Sequence, residues 1–341
     1  MKKLLAVLAT VLLTTGLAAC APASGPPATS AEATAENPLV LSLAHSLGDT
    51  HVTSKALAAF AEDVEERSDG RIVVRIYGNG QLGSEPDVIA QLNQGVIDMA
   101  RVAAPSLAND SPAYHTFGLP YIFESKEEYY RVMDSPEMAD FFRSSVDDGF
   151  VGLTYYTSGA RSFYTAHTAV RTPDDLRGLK IRVQDMRSQT QLMEVLGAAP
   201  VAMGFGEIYT ALQTGLIDGA ESNETALTDS AHGEVAKVFS RDEHTRIPDM
   251  LVMSSDTWRT LTPADQELIT AAARRSTKQH KVAWDESVQQ AVADAEDMGV
   301  EFVDDVDVEA FREMSRPLVD EYAEEYPEVA ELLATIDEAK E

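Results

Sequence analysis

Apolar residues in this chain gather into short runs, and one arrangement of runs occurs twice. Segments 87–100 and 207–220 share Leu92/Leu212, Gly95/Gly215, Ile97/Ile217, Asp98/Asp218 and Ala100/Ala220 at a fixed offset of 120. Each copy predicts a short helix, a glycine just past its end, and a buried strand. The runs before each copy match in kind. In the first half, 39–45 predicts a strand, 54–68 a helix closed by Asp69 and Gly70, and the alternation of Ile72, Val74 and Ile76 a second strand. In the second half, 179–183 predicts a strand, 189–196 a helix ended by Gly197, and 200–203 a strand. Two βαβαβ halves imply the α/β class, with two mostly parallel sheets, right-handed crossovers and a central cleft. From 262 onward the pattern is long acidic helices, interrupted by a strand-like run at 300–303, expected to brace both halves. Ligands of open α/β sheets sit beyond the carboxyl ends of strands. That rule directs attention to His45, Gln184, Asp185 and the segments after Ile97 and Ile217.

The first residues read as an export signal. Lys2 and Lys3 precede an apolar run, 4–13, too short to span a bilayer. Leu17, Ala18 and Ala19 then lead to Cys20, the single cysteine of the chain and the pattern of a lipoprotein cleavage site. The expectation is a signal peptide over 1–19 and an acyl chain on the Cys20 thiol, holding an exported protein to the cell envelope. Residues 20–37, rich in Ala, Pro, Ser, Thr and Glu, have no periodicity and read as a tether. The remaining ~300 residues suffice for two lobes: 38–158 with 248–287, and 159–247 with 288–341.

Charge narrows the partners. There are 27 Lys and Arg against 56 Asp and Glu, a net of −29, or −31 once Lys2 and Lys3 are removed. So acidic a surface repels nucleic acid and anionic lipid, and an anionic ligand needs local arginines. The run Gly78, Gly80 and Gly83 fits G-x-G-x-x-G, yet it follows the second strand of its unit and reads as a turn, not a dinucleotide cradle. The seven histidines lack metal spacing, no G-x-S-x-G elbow occurs, and paired acids such as Asp174 and Asp175 read as solvated. Neither metal nor cofactor is expected. Two arginines stand out: Arg161, and Arg182 inside the apolar run 179–183. A guanidinium clamps a carboxylate bidentately. An arginine in such a run either does that or is paired with an internal acid, and the pattern leaves both open.

The motifs 178–184, 196–198, Met203, 207–215 and 218–219 resemble the solute-binding proteins of tripartite ATP-independent periplasmic (TRAP) transporters, the DctP family. So do 80–83, 119–123 and 159–161, and the likeness runs over about 38–325. It implies a periplasmic-binding-protein-like fold and no catalysis. It implies a small organic acid as ligand and the small and large membrane subunits of a TRAP permease as partners. By this resemblance Arg182 is the main carboxylate clamp and Arg161 a second arginine. Phe205 packs on the ligand, and Glu85, His45 and His244 face it. The family's carboxylate-binding Asn position is filled by Ser222, with Asn223 next. Ala103 stands where sialic-acid binders carry an acid, and Met186 where the sugar-acid group has Ser. Within the family, 178–184, 82–85, 161–165 and 243–252 look like the sugar-acid (hexuronate) group. C4-dicarboxylate binding, and a secreted enzyme acting on sugar acids, are the alternatives.

Overall fold

The computed structural model describes residues 29–340; Cys20 and the rest of the expected signal lie outside them. In chain order the first half gives β1 (Leu39–Ala44), α1 (Val52–Arg67), β2 (Ile72–Tyr77), α2 (Glu85–Asn93), β3 (Met99–Ala103), α3 (Lys126–Met133), α4 (Pro136–Ser144) and β4 (Phe150–Tyr156). The second gives β5 (Arg161–Thr165), β6 (Lys180–Val183), α5 (Arg187–Val195), β7 (Ala199–Ala202), α6 (Ile208–Gln213), β8 (Gly219–Ser222), α7 (Thr225–Asp229) and β9 (Val238–Thr245). The chain then returns through β10 (Asp249–Ser254) and α8 (Ser255–Thr260) and ends in α9 (Pro263–Asp297), β11 (Glu301–Val303), α10 (Val308–Glu325) and α11 (Pro327–Lys340).

Two sheets result, ordered β2-β1-β3-β10-β4 and β11-β9-β5-β8-β6-β7. Four strands of the first run one way against β10, and five of the second against β5. The antiparallel strand in each case is the one entered directly from a strand of the other sheet with no helix between; β11, reached through α9, runs with the majority. β5 enters the second sheet after β4, and β10 re-enters the first after β9.

The repeat has a physical content. Both helices end in a Schellman turn: Gly95 (φ 66) and Gly215 (φ 69) take the left-handed conformation that glycine adopts without strain. The amides of Gly95 and Val96 bond to Leu92 and Gln91, and those of Gly215 and Leu216 to Leu212 and Ala211. The shared aspartates tie the next strand to its neighbour. Asp98 accepts from the Ser42 amide and Asp218 from the Lys180 amide, each at 2.8 Å. Each half therefore fixes its central parallel pair, β1–β3 or β6–β8, by the same side-chain bond.

The core of the first sheet lies under α1 and α9, around Leu41, Phe60, Val64, Met253 and Ile269. A larger cluster joins both halves, from Tyr114 and Phe117 through Phe163 and Leu192 to Tyr322 and Leu332. The long α9 packs on α1 and β4 of the first half and α7 of the second. The last helix departs from the expected partition of 288–341 to the second lobe. α11 packs on the 3-10 turn Pro112–Gly118 and on α3, placing Val329, Leu332 and Ile336 against the first half. Among the described residues no helix is long and apolar enough to cross a membrane.

Candidate functional site

β6 lies between β7 and β8, with Arg182 registered against Val201 and Ala220. Its side chain is 3% exposed, and Nε and Nη2 donate to the Met203 carbonyl at 3.1 and 2.8 Å. No Asp or Glu among the described residues forms an ion pair with it. Burial lowers its pKa, countered by the more distant Glu221. Arg182 is thus a buried cation fixed by a neutral acceptor, costly unless an anion completes it.

Arg161, at the start of β5, is in the opposite condition. Nε and Nη2 both donate to the Glu221 carboxylate, the latter at 2.8 Å, and Nη2 also reaches the Glu221 carbonyl at 2.6 Å. Glu221 is fully buried. Burial works against its charge, but Arg161 and His244 hold its carboxyl down at about 2. Behind it, His244 Nδ1 bonds Asp242 at 2.8 Å, stacks on Phe163 at 4.8 Å, and lies 3.6 Å from Glu221 through Nε2, an ion-pair distance longer than a hydrogen bond. Burial opposes the imidazolium, yet Asp242 and Glu221 raise it to about 9.

The first half supplies the other wall. Glu85 opens α2, beside a capping box made by Ser84 and Asp87. Its carboxylate accepts from the Ala103 amide at 3.2 Å, Ser106 Oγ at 2.9 Å and Arg101 Nη1 at 3.4 Å. Arg101, within β3, turns Nη2 onto Asp249 of β10. Burial pushes the Asp249 carboxyl up and Arg101 pulls it back. Between the walls lies a cavity of about 360 Å³, within the range of small-molecule sites.

The resemblance is settled by a comparison: the family model for bacterial extracellular solute-binding protein, family 7 (DctP), matches residues 43–325. The chain belongs to this family. A Salmonella typhimurium protein, YiiZ, is 42% identical over 267 residues, covering 78% of this chain and 81% of its own. A TRAP periplasmic solute-binding protein from Anaerococcus prevotii, solved with α/β-D-glucuronate, superposes with a TM-score of 0.85 at 35% identity, covering 88% and 97% of the two chains. Another, from Sulfitobacter, solved with β-D-galacturonate, gives 0.83 at 32% identity and 87% and 99% coverage.

In this family 7 protein the cavity gathers Arg182, Arg161, Gln184, Phe205, Glu85, Ser222 and Asn223. Gln184 Oε1 is buried without a donor. Asn223 Oδ1 accepts from the Thr225 amide and hydroxyl, at 3.0 and 2.7 Å, leaving its amide protons uncommitted. Phe205 is half-buried, its ring 5.6 Å from that of His232.

Two expected positions do not reach the cavity. His45 turns its Nδ1 onto the Leu47 amide at 3.2 Å, and burial first, then Arg101, lowers it to about 4; its neighbours Ser46 and Leu47 line the wall instead. His244 is sealed behind Arg161. The lining residues passed over include Arg101, Asp249 and His51, the last capping α1 by accepting the Thr53 amide at 3.1 Å. Arg101 carried the signal that exposed Arg182, a cation inside an apolar strand. Met186 fills the place expected of Ser and packs with Ala103 and Ile247, an apolar contact between the halves.

Proposed function

We propose that this protein is the extracytoplasmic binding subunit of a TRAP transporter, capturing a sugar acid of the hexuronate type by closure of two lobes. The carrying observation is Arg182: a buried guanidinium, aimed into an interlobe cavity, that no internal acid neutralises. The ligand carboxylate docks on Arg182, with Asn223 donating to it. Hydroxyls bond Gln184 and Glu85, and Phe205 covers an apolar ring face. Closure expels water and strengthens the ion pair, which shifts the open–closed equilibrium by differential affinity. The lobes are 38–158 with 248–287 and 159–247 with 288–341, α11 reaching back to the first. The crossings at 157–160 and 246–248 are the hinges. Glucuronate and galacturonate in the related structures support the ligand class. The closed form docks on the small and large membrane subunits, and an acyl chain on Cys20 keeps the protein near them.

The enzyme reading lacks a chemical centre. Glu85, Glu207 and Asp249 are tied to arginines or backbone amides, Asp185 stands exposed to solvent, and the lining histidine, His51, is spent as a helix cap. Calorimetric titration with D-glucuronate and D-galacturonate tests the proposal, with recovery of intact ligand excluding turnover. Arg182→Met should weaken binding by about 100-fold or more. The ligand-free protein should be no less resistant to heat, because an uncompensated buried charge has been removed. Unchanged affinity would refute the clamp.

A further inference from the structure

Three arginines line the cavity, and by number alone they would suit a ligand with a carboxylate at each end. Their hydrogen bonds say otherwise. Arg161 has given Nε and Nη2 to Glu221. Arg101 has given Nη2 to Asp249 and Nη1 to Glu85. Arg182 alone has no carboxylate partner.

The remaining charges are distributed unevenly. Asp185 and Glu207 also line the second half but are exposed to solvent. Among the charges held away from solvent, the second-half wall sets two cations, Arg161 and Arg182, against one acid, Glu221, while His244 and Asp242 cancel behind them. On the first-half wall one cation, Arg101, faces two acids, Glu85 and Asp249. In these enclosed charges one wall carries a positive surplus and the other a negative one. A molecule with a carboxylate at one end and hydroxyls at the other matches both. Its hydroxyls can donate to Glu85, which already takes three donors and has acceptor capacity left. A second carboxylate has no proton to offer. It would also meet an uncompensated negative charge in a space from which screening water is expelled.

Resting on the sugar-acid reading above, we propose that Glu85, Arg101 and Asp249 form a selectivity wall that admits monocarboxylate sugar acids and rejects the corresponding dicarboxylates, the aldarates. Asp249 is essential to it. By occupying Arg101 it prevents that guanidinium from serving as a second clamp, so the wall's sign is set by this ion pair together with Glu85.

The test is calorimetric titration of the intact protein with D-glucuronate, D-gluconate and D-glucarate. The last two share an open six-carbon chain and differ in one terminal carboxylate. Glucarate is expected to bind about 100-fold or more weakly than glucuronate, with gluconate much closer to glucuronate. Glu85→Gln and, independently, Asp249→Asn should each shrink the gluconate-to-glucarate preference by about tenfold. Circular dichroism reports whether each variant is folded. The proposal falls if glucarate binds the unaltered protein as well as gluconate does, if gluconate is rejected equally, or if folded variants leave the ratio unmoved. Failure of glucuronate itself to bind would overturn the sugar-acid reading, and this proposal with it.

Discussion

Arg101 on β3 and Glu221 on β8 stand at the same place in the two halves, 120 residues apart, and carry opposite charges. Their partners are exchanged in the same way. Asp249, registered against Ala103 on the antiparallel neighbour β10, answers Arg101. Arg161, one residue before the Ser162–Ser222 pair on β5, answers Glu221. A buried charge must be matched, but the local fold is indifferent to which strand holds which sign. The halves differ in what other elements add: the first receives Glu85 from the start of α2, the second Arg182 from β6.

That difference yields unequal costs. Asp249→Asn leaves Arg101 with Glu85, whereas Glu221→Gln leaves Arg161 with no acid and His244 with Asp242 alone. Denaturant unfolding should therefore show a loss of about 3–5 kcal/mol for Glu221→Gln and about 1–3 kcal/mol for Asp249→Asn. Equal losses would mean the two pairs are energetically alike after all.

The alkaline limb of stability should separate the halves next. Burial lowers histidines in both: His45, His51 and His280 to about 4, 3 and 3 in the first, reinforced by Arg101, and His232 to about 4 in the second, reinforced by Arg182. Below pH 6.5 the unfolded chain takes up protons these rings refuse, so stability drains as pH falls from 6.5. The second half alone adds a raised ring: His244, brought to about 9 by Asp242 and Glu221 against burial, gives stability that is complete below pH 6.5 and lost as pH rises through about 9. Each such ring contributes a slope of about 1.4 kcal/mol per pH unit between its two values. Urea midpoints from pH 5 to 9.5 should peak near 6.5. His244→Gln should flatten the alkaline limb alone and His51→Gln the acid limb, and a flat profile would contradict both assignments.

The smallest effect is a control. Gly95→Ala and Gly215→Ala strain equivalent left-handed positions, and an added Cβ meets nothing closer than 3.8 Å at the first and nothing within 4 Å at the second. Each should cost about 1 kcal/mol by thermal unfolding, with no difference between halves.

Much of this could be read from the chain. The repeat identified two α/β halves because Gly95, Gly215, Asp98 and Asp218 make local bonds that a local pattern encodes. The direction of β5 and β10 was hidden, since it depends on where the chain crosses between sheets. The return of α11 was hidden too, because its apolar stripe says only that it packs, not on what. Within the site, Arg182 was visible as a charge in an apolar run. His244 was misplaced because position along a strand does not say what its face meets. It shares a face of β9 with Asp242, and that face is closed by Phe163 and Glu221. Asp249 lay beyond sequence reasoning, its importance arising only from contact with Arg101.

The two bonds from Arg182 to the Met203 carbonyl have a last consequence, in entropy. A free arginine loses rotamer freedom when it grips a ligand, about 0.5–1.5 kcal/mol for a side chain of this kind. Here that freedom is already surrendered when β6 and the 203–205 turn come together during folding. The incoming anion meets a rigid donor and need not organise one, which leaves more of its electrostatic attraction to appear as affinity.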